Sequence, residues 1–327
     1  MPPSAALQKT PDGGLRHLIT LEGVARPLLR AIFKSADKYA KGGGGRPLAG
    51  RLFANIFFES STRTRAAFEA AAKQLGADVI NLDQTTMSGD TKRESLEDTV
   101  RTVSAMGAAG VALRHSEAGA AARAARAADE FGVALINGGT GCEAHPTQGL
   151  TDAYTLREIV GEDFSALSVV IAGDVLHSRV ARSNLQILRA LGAKNIRLAG
   201  PPSLCPPSLE KELGAPVFSD LDESLRGADV VMLLRVQRER LQGDFYSSPE
   251  KYFADYGLTE TRLAALKKSA AIMHPGPINR GVEISDAAAD GAQSLIVRQV
   301  ANGMAVRKAV LEMLCAKKAK KTKKVKR

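Results

Sequence analysis

Short apolar runs alternate with helical patterns through most of the chain, and this alternation limits the fold more than any other feature. A helical pattern over 24–40 carries Val24, Leu28, Leu29, Ile32 and Phe33 at helical spacing. Strand 51–58, helix 64–75, strand 78–82, helix 94–106, strand 110–113, helix 117–131 and strand 133–136 follow. The rhythm resumes with helix 147–159, strand 167–172, helix 179–191, strand 195–199, and strands 229–234 and 270–273. A last helical pattern covers 294–315, with Leu295, Val300, Met304, Leu311 and Leu314 as its apolar positions. Strands alternating with helices pair in parallel through right-handed crossovers. The expectation is an α/β protein of two domains, each a parallel sheet flanked by helices, for which 327 residues suffice. Ligands of such sheets bind beyond the carboxyl ends of the strands.

One strand end stands out. Between strand 51–58 and helix 64–75 lies Glu59-Ser60-Ser61-Thr62-Arg63-Thr64-Arg65, with Gly76 placed to stop the helix. Ser61, Thr62, Arg63 and Thr64 fall in a first helical turn, where backbone N–H groups lack intrahelical partners. An anion is drawn to such an end, and neighbouring hydroxyls and guanidiniums make phosphate the natural guest. An ordinary Ser/Thr cap with solvated arginines is the bland alternative. Two successive Thr-Arg pairs at a strand-to-helix junction favour the anion site.

Other strand ends supply further groups. Arg114-His115 follows strand 110–113, with an ion pair to Glu117 as the plain reading of Arg114. A glycine-rich loop, Asn137 to Gly141, follows strand 133–136 and leads to His145-Pro146-Thr147-Gln148. Pro146 suits the first position of a helix, which leaves His145 at the helix entrance. In the second half, Arg179 opens a helix after strand 167–172, and Arg235 and Gln237 follow strand 229–234. One such arginine reads as a surface ion pair; Arg179, Arg235 and Gln237 together read as a clamp for carboxylates. His274-Pro275-Gly276-Pro277 follows strand 270–273 as a rigid turn able to aim backbone carbonyls at a ligand.

Charge and cysteines remove other classes. The net charge of +10 is concentrated in 317–327, which holds eight basic residues and no acid. Without those eight, 37 basic residues face 35 acidic ones, so the body is not a nucleic-acid surface. The tail is expected to be a disordered, solvated end that binds polyanions only weakly. Cys142, Cys205 and Cys315 lie far apart, against a zinc site or a disulfide framework and in keeping with a reducing cytosol. The first residues lack the apolar core of a signal peptide, and no apolar run has the length of a membrane span. A cytoplasmic location is expected.

The stretch F-F-E-S-S-T-R-T-R-A-A-F-E over 57–69 resembles the carbamoyl phosphate signature of the aspartate and ornithine carbamoyltransferases. H-P-T-Q at 145–148 is similar to that family's catalytic histidine segment, and H-P-G-P-I-N-R-G-V-E-I at 274–284 to a stretch of its bacterial aspartate members. The resemblance spans about residues 20–315. It implies an active site in a cleft between a carbamoyl phosphate-binding domain (1–146, completed by helix 294–316) and an aspartate-binding domain (147–293). Ser61, Thr62, Arg63, Thr64, Arg114, His145 and Gln148 would bind carbamoyl phosphate, with Ser88 and Lys92 donated by a neighbouring subunit of a trimer. Arg63, Thr64, Arg114 and His145 would be catalytic. Lys92, Arg179, Arg235, Gln237, Gly276 and Pro277 would bind aspartate, and Glu59 would pair with Arg179 and Arg240 on domain closure. Arg93 stands where the family usually has glycine. No metal or organic cofactor is implied; a regulatory chain or a dihydroorotase is a partner the family admits.

The implied reaction is carbamoyl transfer from carbamoyl phosphate to L-aspartate, giving N-carbamoyl-L-aspartate and phosphate on the route to pyrimidines. Ornithine carries an amine and would call for acids where this chain presents arginines, and the ornithine enzymes' H-C-L-P segment is lacking. The alternatives are another amino-acid carbamoyltransferase, or a non-catalytic homologue serving as an assembly partner.

Overall fold

The computed structural model describes residues 6–83, 94–236, 246 and 248–316. Ser88, Lys92, Arg93, Gln237, Arg240 and the basic tail lie outside the described residues, and so do the expectations attached to them.

Two parallel sheets carry the chain. The first is built from β1 (Leu52–Phe57), β2 (Asp78–Asp83), β3 (Ala108–His115) and β4 (Ala134–Thr140) in the order β2-β1-β3-β4. Helices α1 (Arg26–Ala40), α2 (Thr62–Gln74), α3 (Leu96–Ala105) and α4 (Ala120–Asp129) flank it. Helix α5 (Pro146–Val160) then leads to β5 (Ser168–Ala172), α6 (Arg179–Leu191), β6 (Asn195–Ala199), α7 (Ser208–Leu213), β7 (Val217–Phe218), α8 (Leu221–Leu225) and β8 (Val230–Leu233). Helices α9 (Pro249–Tyr256) and α10 (Glu260–Ala265), strand β9 (Ala271–Met273), and helices α11 (Asp286–Asp290) and α12 (Ile296–Cys315) complete it. The second sheet runs β7-β6-β5-β8-β9, all parallel. Among the described residues no helix is long and apolar enough to cross a membrane.

Strand order reverses between β1 and β3 in one sheet and between β5 and β8 in the other. At such switch points the connections leave toward opposite sides, and a crevice opens at the carboxyl ends. One continuous core joins the two units, running from Phe53 and Phe68 through Leu150 and Leu156 on α5 to Val169 and Ile171. Helix α12 packs back on α1, α2 and α5, and buries Val306, Val310 and Leu311 there.

Several local expectations need correction. Strand β4 continues through Asn137-Gly138-Gly139 to Thr140 rather than ending in a glycine loop. The Asn137 side chain explains this: its amide donates to the Ile19 carbonyl at 2.9 Å, and its oxygen accepts the Gly139 N–H at 2.8 Å. Arg114 and His115 belong to β3 itself. The second sheet has a fifth strand, β7, too short at two residues to give a periodic signal. Val300, expected on the packing face of the last helix, is 66% exposed, while Gln299, Asn302 and Arg307 are buried. Gln299 and Asn302 find partners across the seam with α5, their amides donating to Asp152 at 2.7 Å and to the Thr155 hydroxyl at 3.1 Å, while Arg307 donates to the Gly303 carbonyl of its own helix.

Candidate active site

The β1–β3 switch point presents the start of α2. Ser61 is its N-cap, yet its side chain accepts no hydrogen bond from the first turn. Ser95, Ser178, Asp220, Ser248, Thr259 and Ser285, at other helix starts, all accept from an N–H three residues on. The amino end of α2 is thus left open toward the crevice, with its unpaired N–H groups and positive end of the helix dipole. Thr64 is buried, and Ser61 is half-buried. Arg65 is turned to β2, where it pairs with Asp83 at 2.8 Å. Arg63 is exposed and reaches the second unit: a β-carbon on Gly276 would lie 3.7 Å from its Nε. Gly276 and Pro277 are joined by a cis peptide bond in the turn after β9.

Glu59, just past β1, ties the two sheets together. Its Oε2 accepts from Arg179 Nη2 at 2.7 Å and is paired with Arg114 Nε at 3.1 Å. The pair with Arg179 is already formed in this structure, and Arg114 faces Glu59 rather than Glu117, which pairs with Arg123. Arg114 also donates to the Gly138 carbonyl at 3.2 Å, and Arg179 to the Gly141 carbonyl at 3.1 Å. Gly139 lets them meet: its φ is +118°, and a β-carbon would lie 2.9 Å from Arg114 Nη1 and 3.1 Å from Arg179 Nε. An alanine would be both strained and in collision with them. On the far side of this backbone, Gly138 lies 3.6 Å from the Thr64 methyl, measured from an added β-carbon. His115 is turned away, its Nδ1 accepting the Glu117 N–H at 3.0 Å.

His145 caps α5, with Pro146 in the first turn as the sequence suggests. Its backbone N–H donates to the Ser183 hydroxyl at 2.9 Å, and its Nδ1 lies 3.5 Å from the Thr147 hydroxyl. Burial, with Arg114, Arg179 and Arg307 nearby, holds its pKa well below the usual histidine range. The ring is therefore neutral at physiological pH and can act as a hydrogen-bond donor without carrying charge. One turn further, Gln148 is buried and its amide nitrogen donates to Asp152 at 2.8 Å.

The second sheet supplies Arg179 at the start of α6, after β5, and half-buried Arg235 after β8, on the neighbouring strand. Ser61, Thr62, Arg63, Thr64, Arg114, His145, Gln148 and Arg179 thus cluster around the α2 and α5 starts, with Gly276 against Arg63 and Arg235 at the facing switch point. Sequence reasoning overlooked Gly139, whose backbone position only the two arginines reveal, and Asp152, an acid inside a helix with no local sign of burial. Among the described residues no group of three His, Cys, Asp or Glu side chains is placed to hold a metal ion.

Residues 16–158 match the aspartate/ornithine carbamoyltransferase carbamoyl-P binding domain, and 165–314 match the Asp/Orn binding domain. The aspartate carbamoyltransferase catalytic subunit of Xanthomonas campestris is 53% identical over 313 residues, 94% of this chain and 98% of its own. Aspartate transcarbamoylase from Trypanosoma cruzi, crystallised with carbamoyl aspartate and phosphate, superposes with a TM-score of 0.80 at 27% identity, over 97% of this chain and 99% of its own. Ornithine carbamoyltransferase from Thermus thermophilus gives a TM-score of 0.78 at 27% identity, over 90% of this chain and 98% of its own.

Proposed function

Because the chain belongs to the aspartate/ornithine carbamoyltransferase family, we propose that its crevice is the site of carbamoyl transfer from carbamoyl phosphate to the amine of L-aspartate. The products are N-carbamoyl-L-aspartate and phosphate, and the reaction serves pyrimidine synthesis. The observation that carries this reading is the uncapped start of α2, set beside Arg114, His145 and Arg179. Solved aspartate and ornithine enzymes superpose about equally well, so the fold does not choose the acceptor. Arg179 and Arg235 on the second sheet, together with the Xanthomonas relative, favour the diacid.

In this reading Ser61, Thr62, Arg63 and Thr64 bind the phosphate through backbone N–H groups, hydroxyls and a guanidinium. Thr64, Arg114 and neutral His145 donate to the carbonyl oxygen as the amine attacks, stabilising the negative charge that develops there. Gln148 accepts from the carbamoyl NH2. Arg179, Arg235 and Gln237 hold the two carboxylates, and the Gly276-Pro277 turn orients the amine. Among the described residues no side chain serves as an obvious general base; the proton passes to the departing phosphate. Alignment and charge compensation supply most of the acceleration.

The carbamoyl phosphate domain comprises 1–146 together with α12, whose packing on α1 and α2 supports that assignment; 147–293 forms the aspartate domain. The enzyme acts in the cytoplasm, a location that the three free, separated cysteines suit, and as a trimer with sites shared between subunits. Mixed oligomers of Arg63→Ala and Lys92→Ala subunits regain activity if sites are shared; verified hybrids that stay inactive would refute sharing. The decisive test of function is a colorimetric assay for carbamoylated product, with aspartate and ornithine offered side by side. Turnover of ornithine alone would overturn the assignment.

A further inference from the structure

Behind His145 and Gln148 lies a buried polar cluster that carbamoyl transfer does not use directly. Its centre is Asp152, on α5 one turn beyond Gln148 and 2% exposed. Three amides converge on it. Gln148 and Gln299 donate to Oδ1 at 2.8 and 2.7 Å, and Asn184 donates to Oδ2 at 2.9 Å. Each comes from a different place: Gln148 from the start of α5, Asn184 from the helix that Arg179 opens, and Gln299 from α12. Gln299 then reaches onward, its Oε1 accepting the His274 N–H at 3.0 Å, at the first residue of the turn holding Gly276 and Pro277.

The direction of these bonds has a chemical meaning. An ionised carboxylate can only accept, so Asp152 obliges each amide to present its nitrogen inward. For Gln148 this leaves the carbonyl oxygen as the end available to a ligand. For Gln299 it leaves the oxygen for the backbone of the 274–277 turn. A neutral amide in place of Asp152 could donate as well as accept, and both glutamines could then turn over.

We propose that Asp152 is the positioning residue that fixes Gln148 with its carbonyl oxygen toward the substrate NH2 group, and that ties this acceptor through Gln299 to the 274–277 turn of the second sheet. One buried carboxylate thus selects for a carbamoyl rather than an acyl phosphate, and registers the two substrate halves against each other. Burial raises the Asp152 carboxyl to about 6, with the three amides and Arg307 opposing that rise. It is therefore a carboxylate in an assay at pH 8. Arg307, also buried, lies over the Phe68 ring at 5.5 Å and donates to the Gly303 carbonyl at 3.0 Å, which keeps its charge beside the cluster.

The proposal rests on the carbamoyl transfer reading, and the experiment separates the two. Wild type, Asp152→Asn and Gln299→Met are assayed at pH 8 with carbamoyl phosphate and aspartate, with acetyl phosphate, whose methyl cannot donate, as competitor. If wild type gives no turnover, the assigned reaction fails, whatever the variants do. With active wild type, Asp152→Asn is expected to raise the carbamoyl phosphate KM at least tenfold. It should also narrow the discrimination between carbamoyl and acetyl phosphate (acetyl phosphate Ki over carbamoyl phosphate KM) at least fivefold. Gln299→Met, which keeps the Asp152–Gln148 bond, should raise the aspartate KM severalfold and leave that discrimination within twofold. Unchanged discrimination in a folded Asp152→Asn protein overturns the proposal. Should that variant fail to fold, a wild-type aspartate KM in Gln299→Met overturns it.

Discussion

Helices α2 and α6 occupy equivalent places, each starting after a strand at the switch point of its own sheet, yet they begin differently. In α6 the Ser178 hydroxyl accepts the Ala181 N–H at 3.1 Å, so the helix end is closed and recognition falls to the arginine side chain after it. Arg179 bonds Glu59 and the Gly141 carbonyl. In α2 the Ser61 hydroxyl makes no cap hydrogen bond, which leaves the first-turn N–H groups without a side-chain partner from the cap. On the proposed reading, one fold motif serves two recognition chemistries: N–H groups and a dipole for a phosphate, side-chain guanidiniums for carboxylates.

The largest effect is expected where the open end meets the reacting carbonyl. Thr64→Ala or His145→Ala should lower kcat by about 10²–10³, the usual loss of one donor to a developing oxyanion. A smaller loss for both in steady-state assays would break the reading of this end as the chemical one. Next comes pH. The raised carboxyl of Asp152 favours the folded state below about pH 4, and this advantage is lost as pH rises through about 6. The shift corresponds to about 3 kcal/mol at most. Urea melts between pH 4 and 7 should show wild type losing stability relative to Asp152→Asn; parallel curves would contradict it.

On the carboxylate side, Arg235→Ala should raise the aspartate KM by about 30-fold, equivalent to about 2 kcal/mol for a charge-assisted contact. Carbamoyl phosphate affinity, read by equilibrium binding, should hardly move. The smallest effect sharpens the contrast most. Ser178→Ala should cost about 1 kcal/mol of stability through the lost cap, whereas Ser61→Ala should leave stability nearly unchanged and weaken phosphate binding. Equal losses of stability in the two variants, by denaturant titration, would erase the distinction.

Much of this arrangement can be read from the residues. Hydroxyl and arginine pairs at 61–65, Pro146 after His145, and arginines after apolar runs all announce themselves locally, because strand ends and helix starts have local chemistry. Gly76 ends α2 with φ of +91°, as its placement implies. What escapes is tertiary. Glycines 138 and 139 read as loop, though Asn137 holds them in β4 and two arginines crowd against them. Hydrophobic spacing put Val300 on the inner face of α12, whereas the amino-terminal half of that face carries Gln299 and Asn302, each with a partner 147 positions away. A buried polar seam has no period of its own, so a pattern search finds its exposed opposite.

The return of α12 to the first sheet also bears on how the polypeptide is made. Phe53, Phe68 and Leu75 belong to the same core as Val306, Val310 and Leu311, nearly the last residues of that core to leave a ribosome. Until they emerge, the amino-terminal half carries an uncovered greasy flank. The nascent chain must keep that surface from sticking to others while the second sheet is still being synthesised.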